Sequence, residues 1–327
     1  MRVVFMGTPE FAVPSLEALA QHHDVVAVVS QPDKPKGRGN KLAAPAVKEK
    51  ALALGLTCLQ PLRVRDKDFL DKMAELKPDV ILVAAYSRLI PQSLLDLPRL
   101  GCINLHPSLL PRYRGAIPVQ AAIMNGDTRT GITTFRMDAG YDTGKILLQR
   151  ETDLNAKETG TQLLERLAQL GAEVLLETVQ GLENGTVSEH CQEGESEYTK
   201  PLGKGDLLIN WSWPATRVAN FVRALAEVPA AGTLWNGQPL KIRECVVCPE
   251  AEIQAALPNL TLPEVEANIE QASPGQIIAL CKGHGPVVRC GQGCVLLQSL
   301  KPAGKGWMEG WPFVVGRKIA LGELMGT

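Results

Sequence analysis

Asn104 and His106 stand two residues apart in the run Cys102-Ile103-Asn104-Leu105-His106. An extended segment repeats every two residues, so the two side chains share one face, and His106 closes the strand just before Pro107. In open α/β sheets ligands bind at the carboxyl ends of strands. Downstream, Asp138-Ala139-Gly140-Tyr141-Asp142-Thr143-Gly144 reads as a loop with two carboxylates and two glycines. An amide, an imidazole and a carboxylate brought together suit acyl transfer to an amine. The carboxamide donates to a carbonyl oxygen that turns negative in a tetrahedral intermediate. Imidazole titrates near neutrality, so it donates to that oxygen or moves the amine's proton. The carboxylate orients the imidazole, positions a water or receives the proton. Taken singly, an Asn or a His at a strand end more often just caps or hydrogen-bonds a loop.

Two basic clusters accompany these groups. Residues 107–118 form a proline-stiffened loop holding Arg112 and Arg114, and Lys34, Lys36, Arg38 and Lys41 stand among Pro35, Gly37 and Gly39. The second cluster fits a solvated loop or a nucleic-acid contact that orders on binding. Eight cysteines include Cys245, Cys248, Cys290 and Cys294. Zinc would suit the CxxC spacing, but no histidine stands at a matching distance, and buried thiols explain an apolar, strand-like stretch equally well. No metal is expected.

The elements that must position these residues alternate along the first half. Apolar, valine-rich strands are expected at 2–6, 24–30, 79–85 and 102–106, with helical spacing at 44–54, 67–76 and 91–97 between them. Gly7-Thr8-Pro9 reads as turn, N-cap and first helical residue of a helix carrying Phe11, Val13, Leu16 and Leu19. Continuous Val/Ile/Leu runs between amphipathic helices indicate βαβ units around a parallel sheet buried on both faces. Strands at 130–137 and 145–154 and a long helix at 160–181 follow. The stretch 190–205 is polar and glycine-rich and reads as a linker. Beyond it one helix near 215–225 and several short strands separated by glycine turns indicate a small β-barrel or sandwich. The expected division is 1–189, a linker at 190–207, and 208–327, with Trp211, Trp213 and Trp235 in the core of the last.

The chain has 327 residues, the length of about two domains, with 45% hydrophobic and 21% charged residues and a formal net charge of −1. That composition excludes a disordered or fibrous chain. No apolar run approaches the ~20 residues that span a bilayer, and a cytoplasmic protein is expected. With no net positive charge, any nucleic-acid role must rest on local patches. From residue 208 onward ten Lys/Arg face nine Asp/Glu; without the acidic stretch 249–273, which holds Glu250, Glu252, Glu264, Glu266 and Glu270, they face four. That stretch is a solvated loop, or it masks a basic domain.

The run Asn104-x-His106-Pro107-Ser108-Leu109-Leu110-Pro111 with Asp142 downstream resembles the signature of formyltransferases that use 10-formyltetrahydrofolate. Arg112-x-Arg114-Gly115-Ala116-x-Pro118 resembles in particular those members whose acceptor is methionyl-tRNA. The likeness runs from Phe5 to Phe11 through Gln31-Pro32-Asp33 and Ala84-Ala85-Tyr86 to Asn210-Trp211 and Lys301-Pro302-Ala303-Gly304-Lys305. It implies a Rossmann-like α/β formyltransferase sheet with parallel strands, plus a smaller C-terminal β-barrel that is OB-like. It further implies that Asn104, His106 and Asp142 are catalytic. Asn104 and His106 would stabilise the oxyanion while Asp142 assists proton removal. Ser108, Leu109, Leu110 and Pro111 would line the folate pocket, with backbone groups of Arg88, Leu89 and Ile90 on the pterin. Lys34, Lys36, Arg38 and Lys41 would contact methionyl initiator tRNA, in a monomer that needs no metal. Pro107 departs from the residue usual in the tRNA branch and resembles the enzymes that formylate a glycinamide nucleotide, so that position alone does not identify the acceptor. A nucleotide, a sugar amine and water are the rivals, and the C-terminal β domain and the basic loop at 34–41 both argue for RNA. An inactive RNA-binding module is the rival from another class. A nicotinamide dehydrogenase is excluded, because Gly7 is followed by no second or third glycine of GxGxxG.

Overall fold

The structure, a computed structural model, describes residues 1–36, 41–248 and 269–326. The chain divides into two compact units. The first comprises Met1–Pro118, Arg129–Asp153 and Leu163–Lys200; the second comprises Val119–Thr128, Leu154–Gln162 and the chain from Pro201 on. Residues 190–200, read as linker, thus group with the first unit. Among the described residues no helix is long and apolar enough to cross a membrane.

The first unit is built on β1 (Arg2–Gly7), β2 (Asp24–Val29), β3 (Lys34–Lys36), β4 (Lys41–Ala43), β5 (Cys58–Leu59), β6 (Val80–Ala84), β7 (Cys102–His106), β8 (Arg114–Gly115), β9 (Arg129–Arg136), β10 (Ile146–Asp153) and β11 (Tyr198–Thr199). Helices α1 (Val13–His22), α2 (Ala46–Ala53), α3 (Lys67–Glu75) and α4 (Gln92–Leu95) connect the early strands; α5 (Pro118–Asn125) belongs to the second unit from Val119 on, and α6 (Gly160–Asn184) belongs to the first from Leu163 on. Seven strands form one sheet in the order β10-β9-β7-β6-β1-β2-β5. From β7 to β5 all pairs are parallel. All five residues of β6 are buried, as a central strand covered on both faces requires. The sheet is not parallel throughout: β9 runs against β7, and β10 runs against β9. Only residues 137–145 join β9 to β10, too short a connection for the crossover that parallel neighbours need. Register places Asn104 between Val83 and Phe135, and His106 opposite Thr133.

Thr8 is not the expected N-cap. A 3-10 turn at Glu10–Ala12 intervenes, and α1 starts at Val13 with Pro14 in its first turn, where the missing N–H costs nothing.

In the second unit β12 (Ala231–Trp235), β13 (Gln238–Val247), β14 (Ile277–Cys281), β15 (Gly285–Arg289), β16 (Cys294–Pro302) and β17 (Met308–Glu309) form an antiparallel sheet, ordered β12-β13-β16-β15-β14 with β17 on β16. Helices α7 (Ala215–Ala224) and α8 (Gly310–Arg317) pack Val218, Phe221, Val222, Phe313 and Val314 into one core with Ile242, Ile277, Val295 and Leu297. The end of the chain bridges the two edge strands: Met325 donates to Gly275 O, and Gly326 donates to Leu234 O. Closing the edges in this way removes unpaired ladder groups. Trp211 is buried in this core, with Nε1 donating to Thr233 Oγ1 at 3.0 Å, and Trp213 and Trp235 pack against it.

Candidate active site

Asn104 and His106 project from β7 on one face, as their spacing requires. Asn104 is half-buried, and its carboxamide makes no hydrogen bond among the described residues. A buried amide ordinarily finds a partner, so this one is free for a ligand. His106 is 4% exposed. Its Nε2–H donates to Tyr113 O at 2.9 Å, which leaves Nδ1 bare, facing Asp142 Oδ2 at 3.8 Å. That gap is longer than a hydrogen bond and is the kind that an amine or a water bridges. Burial pulls the imidazole below its ordinary range, against the opposing pull of the Asp142 carboxylate and the Tyr113 hydrogen bond. His106 is therefore neutral at pH 7, with a proton acceptor turned to Asp142.

Asp142 sits in the loop from β9 to β10 at φ +53°. Asp138 Oδ1 shapes that loop by accepting from Gly140 N and Thr143 Oγ1, at 2.9 and 2.7 Å. At Gly144 a Cβ would collide with Arg136 O, so only glycine allows the turn. The carboxylate is held by Gly115 N–H, which donates to Oδ2 at 2.8 Å. Gly115 itself has φ +97°, and a Cβ there would strike Thr199 O. Asn104 and His106, singled out by spacing, thus share one face of β7, and Asp142, singled out by resemblance, lies 3.8 Å from His106.

The loop after β7 is tied inward. Ser108 Oγ donates to Arg112 O at 2.7 Å. The buried Thr133 hydroxyl donates to Ser108 O at 2.6 Å and accepts from Leu110 N at 3.1 Å and Gln149 Nε2 at 2.9 Å. Gln149 Nε2 also reaches Leu110 O. Leu109 and Pro111 line an open cavity of about 660 Å³ with Arg112 and residues 193–197, and none of Asn104, His106 and Asp142 borders it. In the loop after β6, Arg88 Nη1 donates to Pro61 O and Leu62 O, Ile90 is buried in the sheet core and Leu89 is exposed. The Arg88 and Ile90 side chains are thus already engaged, which leaves the backbone of the 88–90 segment for a ligand. Ala85 and Ser87 there have φ +47° and +59°.

Lys34 is exposed, and its Nζ donates to Gln31 Oε1 at 2.9 Å. Arg38 lies outside the described residues, as do the side chains of Lys36 and Lys41 and residues 249–268 of the acidic stretch. The base of the β3–β4 hairpin is anchored. Asp33 accepts from Lys48 Nζ and Gln60 Nε2 at 2.8 Å, which holds its carboxyl below the usual carboxylate range. Gln31 Nε2 donates to Tyr86 O at 2.8 Å. Of the four cysteines singled out, Cys248, Cys290 and Cys294 are buried and Cys245 is half-buried, and among the described residues no group of three or more His, Cys, Asp or Glu is placed to hold a metal.

Sequence reasoning missed Thr133, Gln149, Gln31 and Gln192 as supports of the site. Gln31 stood in a quoted motif without a role, and Gln192 lay in the segment read as linker.

The profile described as formyl transferase matches residues 1–179, and that of the formyl transferase C-terminal domain matches 201–318. The chain belongs to the formyltransferase family. A methionyl-tRNA formyltransferase of Pelobacter propionicus is 44% identical over 327 residues, covering 99% of this chain and 96% of that one. The methionyl-tRNA formyltransferase of Synechocystis is also 44% identical, over 98% of this chain and 99% of its own. Among solved structures, an N-formyltransferase from Helicobacter canadensis in complex with folinic acid and dTDP-3-aminofucose matches with a TM-score of 0.64 and 19% identity. That match covers 91% of this chain and 99% of the other, and shows that the formyltransferase fold is shared. Formyltransferases of this family use 10-formyltetrahydrofolate as donor.

Proposed function

We propose that this chain transfers the formyl group of 10-formyltetrahydrofolate to the α-amine of methionyl initiator tRNA, acting as a monomer in the cytoplasm. The observation that carries this reading is the 44% identity to methionyl-tRNA formyltransferases along nearly the whole chain, second unit included.

The unpartnered Asn104 carboxamide donates to the formyl oxygen as that oxygen turns negative. The neutral α-amine attacks the formyl carbon, and the ammonium so formed passes its proton to Nδ1 of His106, with Asp142 3.8 Å away to stabilise the imidazolium or to receive the proton in turn. The new Nδ1–H then becomes a second donor to the oxyanion, since Nε2–H is already given to Tyr113 O. The oxyanion collapses to the new amide, the bond from the formyl carbon to N10 breaks, and tetrahydrofolate leaves with the proton that N10 takes up. Oriented groups lower the barrier without reorganising during the step. Ser108 to Pro111 and the backbone of Arg88, Leu89 and Ile90 hold the folate. Lys34, Lys36, Arg38 and Lys41 reach the tRNA, and the second unit holds the acceptor arm through phosphates.

The test is formylation with 10-formyltetrahydrofolate and methionylated initiator tRNA, beside glycinamide ribonucleotide, an amino-sugar nucleotide and no acceptor. Selective formylation of the aminoacyl-tRNA, falling steeply as salt rises and abolished by Asp142→Ala, supports the reading. Turnover with another acceptor alone rejects it.

A further inference from the structure

Residues 190–199 form a strap against the loop that carries Asp142. His190 exchanges backbone hydrogen bonds with Ile146 at 2.8 and 2.9 Å. Two residues on, Gln192 Nε2 donates to both Asp142 O and Gly144 O at 2.8 Å. Its Oε1 accepts from Arg114 Nε and Nη2 at 3.0 and 2.8 Å. Tyr198 donates its hydroxyl to Tyr141 O at 3.0 Å, and its ring lies 5.8 Å from the Arg114 guanidinium. β11 pairs with β8, and Gly115 of β8 donates to the Asp142 carboxylate.

Asp142 is therefore gripped twice. Gln192 holds its main chain, and Gly115, next to the arginine that Gln192 engages, holds its carboxylate. A non-glycine residue at φ +53° persists only where its surroundings over-determine it. Both donors of Gln192 go to the carbonyls of Asp142 itself and of Gly144 two residues on, and both of its acceptor contacts come from Arg114, so the amide is fully used in joining the two loops.

We propose that Gln192 is a positioning residue for formyl transfer: by tying the carbonyls of Asp142 and Gly144 to Arg114, it holds the Asp142 carboxylate in place opposite His106 Nδ1. This rests on the role given above to Asp142. A side chain that merely fastens the strap would stabilise the fold and leave the chemistry of the His106–Asp142 pair unchanged.

Gln192→Ala and Gln192→Glu in the full chain separate these roles. The glutamate keeps an acceptor for Arg114 and loses both donors. For both variants kcat falls by about 10²-fold, the loss that a misplacement near 1 Å brings, with KM for donor and tRNA nearly unchanged. In an Asp142→Asn background Gln192→Ala causes no further loss, because groups that act through one another are not additive. His106, followed by NMR among the five histidines, titrates at lower pH in both variants than in the wild type, because the displaced carboxylate supports the imidazolium less. A fastening role alone would lower the melting temperature and leave that titration in place. Should Gln192→Ala fail to fold, Gln192→Glu carries the same three measurements. Wild-type kcat in Gln192→Glu, additivity with Asp142→Asn, or an unmoved His106 titration overturns the proposal. Failure of the acceptor assignment shows separately, as a wild type that does not formylate methionyl-tRNA, and the His106 titration still decides the role of Gln192.

Discussion

Replacing Thr133 by valine keeps the shape of a fully buried side chain and removes its hydroxyl. That hydroxyl is a donor to Ser108 O and an acceptor for Leu110 N and Gln149 Nε2. Gln149 retains Leu110 O, so two backbone groups of the 108–111 loop are left unpaired inside the protein. Each such group costs about 1–3 kcal/mol, and partial relaxation brings the total to about 3 kcal/mol. For a unit of this size about 2–4 °C accompanies each kcal/mol, so the melting temperature should fall by about 6–12 °C. If about 1.4 kcal/mol of that is spent re-ordering the loop around the folate, KM for the formyl donor rises about tenfold. Asn104, His106 and Asp142 take no hydrogen bond from Thr133, so kcat should change far less. Thermal melts and steady-state kinetics with varied donor read both quantities, and Thr133→Ser, which retains the hydroxyl, should restore most of each. A melting shift under about 2 °C together with an unchanged donor KM would refute the assignment of Thr133 as the hub of this loop.

Asn104→Ala should lower kcat by about 10²–10³-fold in formylation and barely move the melting temperature, since among the described residues no group hydrogen-bonds to its carboxamide; a kcat within a few-fold of wild type would remove it from the oxyanion's donors. Burial depresses the folded-state pKa of His106 below its unfolded 6.5, so between those values the unfolded chain binds more protons and stability rises with pH. Wild-type stability should therefore fall as pH drops below about 6.5, and denaturant titrations of His106→Gln should show a shallower acid limb; equal limbs would contradict the buried neutral imidazole. Gln31→Met severs the link from Lys34 to Tyr86 O, and with one hydrogen bond worth about 1 kcal/mol the donor KM should rise about fivefold, a change measured in the same assay and absent if the 85–91 backbone does not hold the folate.

Much of this protein was legible without coordinates. Valine-rich runs at β1, β2 and β6 between amphipathic helices require a parallel sheet covered on both faces, and a period of two puts Asn104 and His106 on one side of β7. Both are local consequences of backbone geometry, which any short stretch of sequence carries. The meeting of His106 with Asp142 was signalled only by family resemblance, since nothing within either segment states how β9 and β10 turn back on β7. Tertiary structure alone decided which nitrogen of His106 is free, because that depends on the carbonyl of Tyr113 folding over the ring. It also gave Gln192, Thr133 and Gln31 their hydrogen-bond partners. A polar side chain in an aperiodic segment has no local pattern to betray its partner, and its role follows from which distant carbonyls the packed chain brings within 3 Å.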